Sequence, residues 1–238
     1  MVEQTQRFDP IHEVAHELLQ RGDVGAVNQL RGRIGHAGPE YWAGESNTWF
    51  THREQSGGGA LMDIGAHIVD LLRWLSGKEV ARLCASARTL EKTAGVEDNA
   101  SALLEFTDGT MGSFEVSWTT RPYEVTTDFY GTRGKLHTEL GAAHPVTIQY
   151  GNPNGSRLGD PSYPEIPTTS RRGGAYPYFT DCILQGKTPF ISGEEGRASL
   201  EVILAVYESV RIGGWVELPL KEAAQRSGKS RDKSVELT

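Results

Sequence analysis

Cysteine is nearly absent from this sequence: Cys84 and Cys182 are the only two among 238 residues, with no CxxC pair. That argues against a disulfide-stapled secreted scaffold and suits a reducing cytoplasm. No apolar run approaches the ~20 residues that cross a bilayer, and the polar start, from Met1 to Arg7, lacks the apolar core of a signal peptide. No membrane partner is therefore expected. Basic charge is also short, with 24 Lys and Arg against 31 Asp and Glu and a net charge of -7. Phosphate backbones demand a basic face, so no nucleic-acid partner is expected. The one basic cluster, Lys229 to Lys233, sits in a tail that also carries acids and reads as a solvated terminus. Finally, no Gly-x-Gly-x-x-Gly follows any strand, which removes the usual dinucleotide-phosphate turn. Internal repeats are missing too.

What is present predicts an α+β domain. Residues 10–21 carry Ile11, Val14, Ala15, Leu18 and Leu19 at helical spacing between Pro10 and Gly22. Residues 24–34 predict a strand, and 35–56 a long loop holding Tyr41, Trp42 and Trp49. Residues 60–75 predict a second helix, with Leu61, Ile64, Ile68, Leu71, Leu72 and Leu75 on its apolar face and Ser76-Gly77 as its stop. Strand patterns then follow at 80–90, 100–106, 110–118, 124–130, 135–140 and 146–150, with Thr107-Asp108-Gly109-Thr110 as a hairpin turn. A Pro/Gly/Ser-rich loop (151–174), helices at 175–185 and 194–212 and a short strand at 215–218 complete the pattern. Consecutive hairpins imply an open, mainly antiparallel sheet, and the helices before and after it imply one covered face.

The chemistry concentrates after Gly57-Gly58-Gly59. Asp63, His67 and Asp70 stand at i, i+4 and i+7, so on a regular helix they project from one face. A histidine with a carboxylate one turn away is a ready general acid or base. The glycines would let backbone pass close to a ligand at the helix start, where free N–H groups point outward. The plain alternative is a surface ion pair or a cap. A polar triad on a helix otherwise built for burial is costly, however, unless it faces a cavity or a partner.

The string Gly57-Gly58-Gly59-x-x-x-Asp63-x-Gly65-x-His67-x-x-Asp70 resembles the signature of the Gfo/Idh/MocA oxidoreductases, the glucose–fructose oxidoreductase and inositol dehydrogenase family. Arg7-Phe8-Asp9-Pro10 with Gly22 to Gly25 resembles that family's crossover out of its Rossmann domain. Gly131 to Gly134 resembles its sheet turn, and Ser192 to Gly196 leading to Tyr207 and Ser209 its last helix. These landmarks run in family order from about residue 7 to 218. The resemblance implies the family's C-terminal, dihydrodipicolinate-reductase-like domain: residues 1–26 as a remnant of the Rossmann domain and crossover helix, 27–218 as the substrate-binding and oligomerisation domain, and 219–238 as a polar tail.

It also implies NAD(P)-dependent hydride transfer on a sugar, polyol or inositol-like alcohol. His67 would exchange the hydroxyl proton and Asp63 would orient substrate or base, with Asp70 supporting as a substrate-binding residue. NAD or NADP would serve the intact enzyme, while this chain alone would bind neither tightly and be inactive. The family's Glu-Lys-Pro lysine has no counterpart, and neither Lys78 nor Lys92 has a context that would replace it. His36 and Trp49, with Trp42, are candidates to hydrogen-bond or stack on a sugar, or else anchors of their loop. Arg121 and Tyr176 are further substrate-binding candidates. The uncovered sheet face would join copies into a homo-oligomer, with alternate residues of 101–106 and 113–118 facing outward or inward.

Two other readings remain. Without a cofactor domain the chain would be a sugar-binding or oligomerisation module. His12-Glu13-Val14-Ala15-His16 also matches HExxH, a zinc-peptidase pattern, although position 19 is Leu rather than the Gly of the extended motif. No metal site is expected.

Overall fold

The computed structural model describes residues 1–44, 48–152 and 159–221. Most of the expected tail, and the middle of the 151–174 loop, lie outside them. After a turn at Thr5–Phe8, α1 runs Pro10–Gln20; Asp9 caps it by accepting from the Ile11 N–H, and Pro10 takes the first turn, where no donor is needed. Strand β1 spans Val27–Gly35. The expected loop that follows contains three one-turn helical segments, at Glu40–Ala43, Thr48–Thr51 and Arg53–Ser56. A π-turn at Leu61–Gly65 leads into α2, Ala66–Ser76, which stops on Gly77 in the left-handed region. Then come β2 (Val80–Arg88), β3 (Asn99–Phe106), β4 (Met111–Ser117), β5 (Glu124–Gly131), β6 (Gly134–Glu139) and β7 (Val146–Tyr150). The chain closes with α3 (Ala175–Gln185), α4 (Gly193–Ile212) and the two-residue β8 (Val216–Glu217).

The eight strands form one open sheet in the order β7-β6-β5-β1-β4-β3-β2-β8. Every pairing is antiparallel except that of β1 with β4, because β1 arrives from before α2 and inserts between two later hairpin strands. Period-two burial sorts the faces. Ala102, Leu104, Phe106, Phe114 and Val116 point into the core, with Leu30, Ile34, Val125, Phe129 and Leu136 beside them. Leu61, Ile68, Leu71, Leu72 and Leu75 cover them together with Val202, Ile203 and Val206 of α4. Gly32 permits the closest approach: a Cβ there would sit 2.8 Å from Ile68 Cδ1, so α2 lies almost directly on the β1 backbone.

The uncovered face is more polar than an apolar docking sheet. Arg31 pairs with Asp128 at 2.8 Å, Arg82 with Glu105 at 2.7 Å, and Arg33 bridges Glu115 and Glu124. Of the alternating residues in question, Ser101, Leu103, Glu105, Ser113 and Glu115 face outward. The large apolar side chains exposed on this face include Leu103, Met111 and Trp215. No helix of the described residues is long and apolar enough to cross a membrane.

Candidate functional site

Strands β1 and β4 run parallel, so their C-terminal ends deliver His36 and Trp118 to the same rim of the sheet, where the start of α2 crosses it. The His36 N–H donates to the Ser117 carbonyl at 2.9 Å, and the Trp118 N–H to that of Asp98 at 2.7 Å. Asp63, on the π-turn, meets both residues. Its Oδ2 accepts the Trp118 indole N–H at 3.0 Å and lies 3.5 Å from His36 Nε2. His36 Nδ1 accepts from the Gly38 N–H at 2.9 Å, which leaves its Nε2 to carry the proton toward Asp63. π-turns recur where a helix is shaped for function.

His67, one turn on, is only partly exposed. Its Nδ1 lies 2.8 Å from Gln4 Oε1, and its Nε2 has no hydrogen-bond partner among the described residues without being sealed from solvent. Burial lowers its pKa below the ordinary histidine value, outweighing the pull of Asp63, Asp70 and Glu3 toward the charged form. The ring is therefore neutral near pH 7, with an accessible acceptor nitrogen and a carboxylate nearby. Such a pair can take a proton from a hydroxyl group and hydrogen-bond its neighbour.

Asp70 does not share that face. It is fully buried, with the Arg7 guanidinium bound bidentately at 2.7 Å through both Nε and Nη2 and the Ser199 hydroxyl at 3.2 Å. A substrate has no access to it, so its expected contact with substrate gives way to a structural role. Burial by itself would lower the Arg7 pKa, but Asp70 and Glu195 together hold it above its ordinary value.

The glycine turn is likewise structural. The Glu97 carboxylate, buried, accepts from the Gly59 and Leu61 N–H groups at 2.9 and 3.1 Å and from the Tyr207 hydroxyl at 2.9 Å. A Cβ on Gly58 would fall 1.9 Å from the Tyr207 oxygen, and one on Gly59 1.8 Å from the Glu97 carbonyl. The close backbone approach read from these glycines is thus to Tyr207 and Glu97, and the helix-start donors are occupied from within.

Of the remaining candidates, Trp49 and Arg121 have other partners among the described residues. Trp49 is exposed and stacks on Phe50 at 3.9 Å, with Trp42 edge-on to the same ring at 5.1 Å, a packing in keeping with the loop-anchor alternative. Arg121 pairs with Glu91 at 2.9 Å and reaches the Tyr41 hydroxyl at 3.4 Å. Tyr176 is 76% exposed on α3. No hydrogen bond or ion pair joins any of the three to Asp63 or His67 among the described residues. Lys92 is held by Glu40 and the Ala37 carbonyl, and Lys78 by Asp108.

The HExxH histidines diverge: His12 is buried against the Gln6 carbonyl at 3.0 Å, whereas His16 stacks on Trp74 at 4.3 Å. Glu13 accepts from Ser170, Arg171 and Arg172. This arrangement gives the zinc-peptidase reading no support. Gln4, Trp118 and Glu97 were missed in the sequence because each acts across 36 or more residues, and no local pattern marks such contacts.

Residues 12–137 match the family model for the GFO/IDH/MocA C-terminal domain, and the chain belongs to that family. It is 29% identical to scyllo-inositol 2-dehydrogenase (NAD(+)) of Bacillus subtilis over 91% of its own length and 62% of that protein's. It is 26% identical to 1,5-anhydro-D-fructose reductase of Ensifer adhaerens over 87% of its length and 60% of that protein's. The chain thus spans about three fifths of the length of these relatives. Levoglucosan dehydrogenase in complex with NADH shares the fold, with a TM-score of 0.76 at 21% identity, over 93% of this chain and 66% of that one.

Proposed function

We propose that this chain is the substrate-binding half of an NAD(P)-dependent oxidoreductase acting on a sugar, polyol or inositol-like alcohol. The observation that carries the reading is His67: neutral through burial, with Nε2 open and Asp63 near enough to favour its charged form. As the alcohol carbon gives up hydride, its hydroxyl proton passes to His67 Nε2 and the C–O bond becomes a carbonyl. Asp63, fixed by Trp118, accepts a hydrogen bond from the reacting hydroxyl or its neighbour and stabilises the imidazolium that forms. The nicotinamide's part is to accept the hydride. The described residues offer no dinucleotide-phosphate turn, since the glycine-rich one is filled by Tyr207 and Glu97. We therefore assign cofactor binding to a nucleotide-binding domain outside them. Residues 1–26 act as the crossover toward such a domain and 27–218 as the substrate domain, with the crossover lending Gln4 to the site and Arg7 to the ion pair behind it.

Two experiments test this. Fluorescence titration of the 238-residue chain with NADH should show no binding up to millimolar cofactor. Saturable micromolar binding would reveal a dinucleotide site within the chain and overturn the division of labour. In the chain joined to the nucleotide-binding domain of the Bacillus subtilis relative, turnover of inositols or sugars with NAD+ or NADP+ should be lost in His67→Ala while the thermal melt is kept. Near-normal turnover in that variant would sink the assignment. The uncovered face around Leu103, Met111 and Trp215 is our candidate contact between copies, which light scattering of Leu103→Glu against the parent chain tests.

A further inference from the structure

We infer that Gln4 is a positioning residue that holds neutral His67 in its Nδ1–H tautomer, so that Nε2 is the proton acceptor. This rests on the role proposed above for His67. An amide oxygen can only accept, so with Gln4 Oε1 turned toward the ring the 2.8 Å contact with His67 Nδ1 favours the proton on Nδ1. A solvent-exposed neutral histidine side chain favours the opposite, Nε2–H form, and the bond therefore selects a state that the ring would not adopt by default.

The contact is not an isolated touch. Gln4 is 95% buried, and its backbone carbonyl accepts the Arg7 N–H at 3.0 Å, closing the turn that presents both side chains to α2. Three residues along each element, Arg7 grips Asp70 bidentately at 2.7 Å. Two cross-links of matched spacing, Gln4 to His67 and Arg7 to Asp70, thus clamp the N-terminal segment against one turn of α2. The buried ion pair supplies rigidity and the amide supplies direction. A carboxylate in place of Gln4 would orient the ring equally well but would also favour its charged form. The neutral amide leaves the ring uncharged and able to accept a proton.

The charged groups that act on His67 are Asp63, the buried Asp70 and Glu3, all of which favour imidazolium. In Gln4→Glu a fourth carboxylate joins them.

The test uses long-range 1H–15N correlation spectra of the 15N-labelled 238-residue chain, with His67 signals assigned through His67→Ala. Above the ring's titration the parent chain should show a protonated Nδ1 and an unprotonated Nε2. Gln4→Leu should move the population toward Nε2–H. Gln4→Glu should restore Nδ1–H and raise the His67 pKa by about one unit or more. A parent spectrum dominated by Nε2–H would overturn the inference, as would an unchanged tautomer in Gln4→Leu. If Gln4→Leu does not fold, the parent spectrum and Gln4→Glu still decide. Because the tautomer is read without turnover, a failed role for His67 in catalysis and a failed role for Gln4 are told apart.

Discussion

Replacing Glu97 separates a structural reading of the glycine-rich turn from a ligand-binding one. Its Oε1 accepts from two backbone N–H groups at the helix start and from Tyr207, at 2.9 to 3.1 Å, with the side chain buried. Burial first, and then the Glu97 charge, push the Tyr207 phenol above its ordinary pKa, so the hydroxyl remains a donor at any working pH. A hydrogen bond to a charged group contributes about 1.5–3 kcal/mol, and each buried donor left unpaired costs about 1–3 kcal/mol. These terms overlap, because the same donors appear in both. Glu97→Ala should therefore destabilise the chain by about 3–5 kcal/mol, a large share of the roughly 5–15 kcal/mol that holds a domain together. Glu97→Gln keeps an acceptor oxygen and should lose only about 1–2 kcal/mol. Urea unfolding at pH 7.5, followed by circular dichroism, reads both through the shift in midpoint at constant slope. A loss below about 1 kcal/mol in Glu97→Ala would show that the helix-start donors do not depend on this carboxylate, and would return them to a ligand.

Four further outcomes are expected. Arg7→Met strands Asp70 as a buried charge and should cost about 3–5 kcal/mol, with Arg7→Met/Asp70→Leu recovering most of it in the same unfolding assay. His12 and His67 have pKa values lowered by burial, so the unfolded chain binds more protons. Stability from this source is full above about pH 6.5 and should fall by up to about 1.4 kcal/mol per group by pH 5.5. His137, raised mainly by its hydrogen bond to Asp128, works in the opposite sense, and a His137→Gln chain should lose stability faster on acidification than the parent. Trp118→Phe removes the donor that fixes Asp63; it should cost about 1–2 kcal/mol in folding and lower kcat/KM in the joined enzyme by about tenfold. An unchanged kcat/KM would mean that Asp63 needs no such hold.

Much of the architecture was legible because its signals are local. Pro10 and Gly22 bracket α1, Ser76-Gly77 stops α2, and the Asp108-Gly109 turn joins β3 to β4. The alternation in 101–106 and 113–118 showed that two faces exist but not which one is core, since both strands carry small residues on their outward side. The π-turn at Leu61–Gly65 was invisible: no local pattern marks it, and the glycines just before it meet Tyr207 and Glu97, residues 38 or more positions away.

The sequence by itself determined the α+β class, the hairpin order and the placing of Asp63 and His67 within one helical turn, because propensity, turn chemistry and side-chain period act over a few residues. Tertiary structure alone decided that Asp70 is an ion-pair anchor, that HExxH is two unrelated histidines and that Glu97 occupies the helix start. It also decided that Gln4 faces the imidazole. Each of these depends on which distant group meets a side chain in the low-dielectric interior, and there the partner, more than the residue type, sets the charge state and the role.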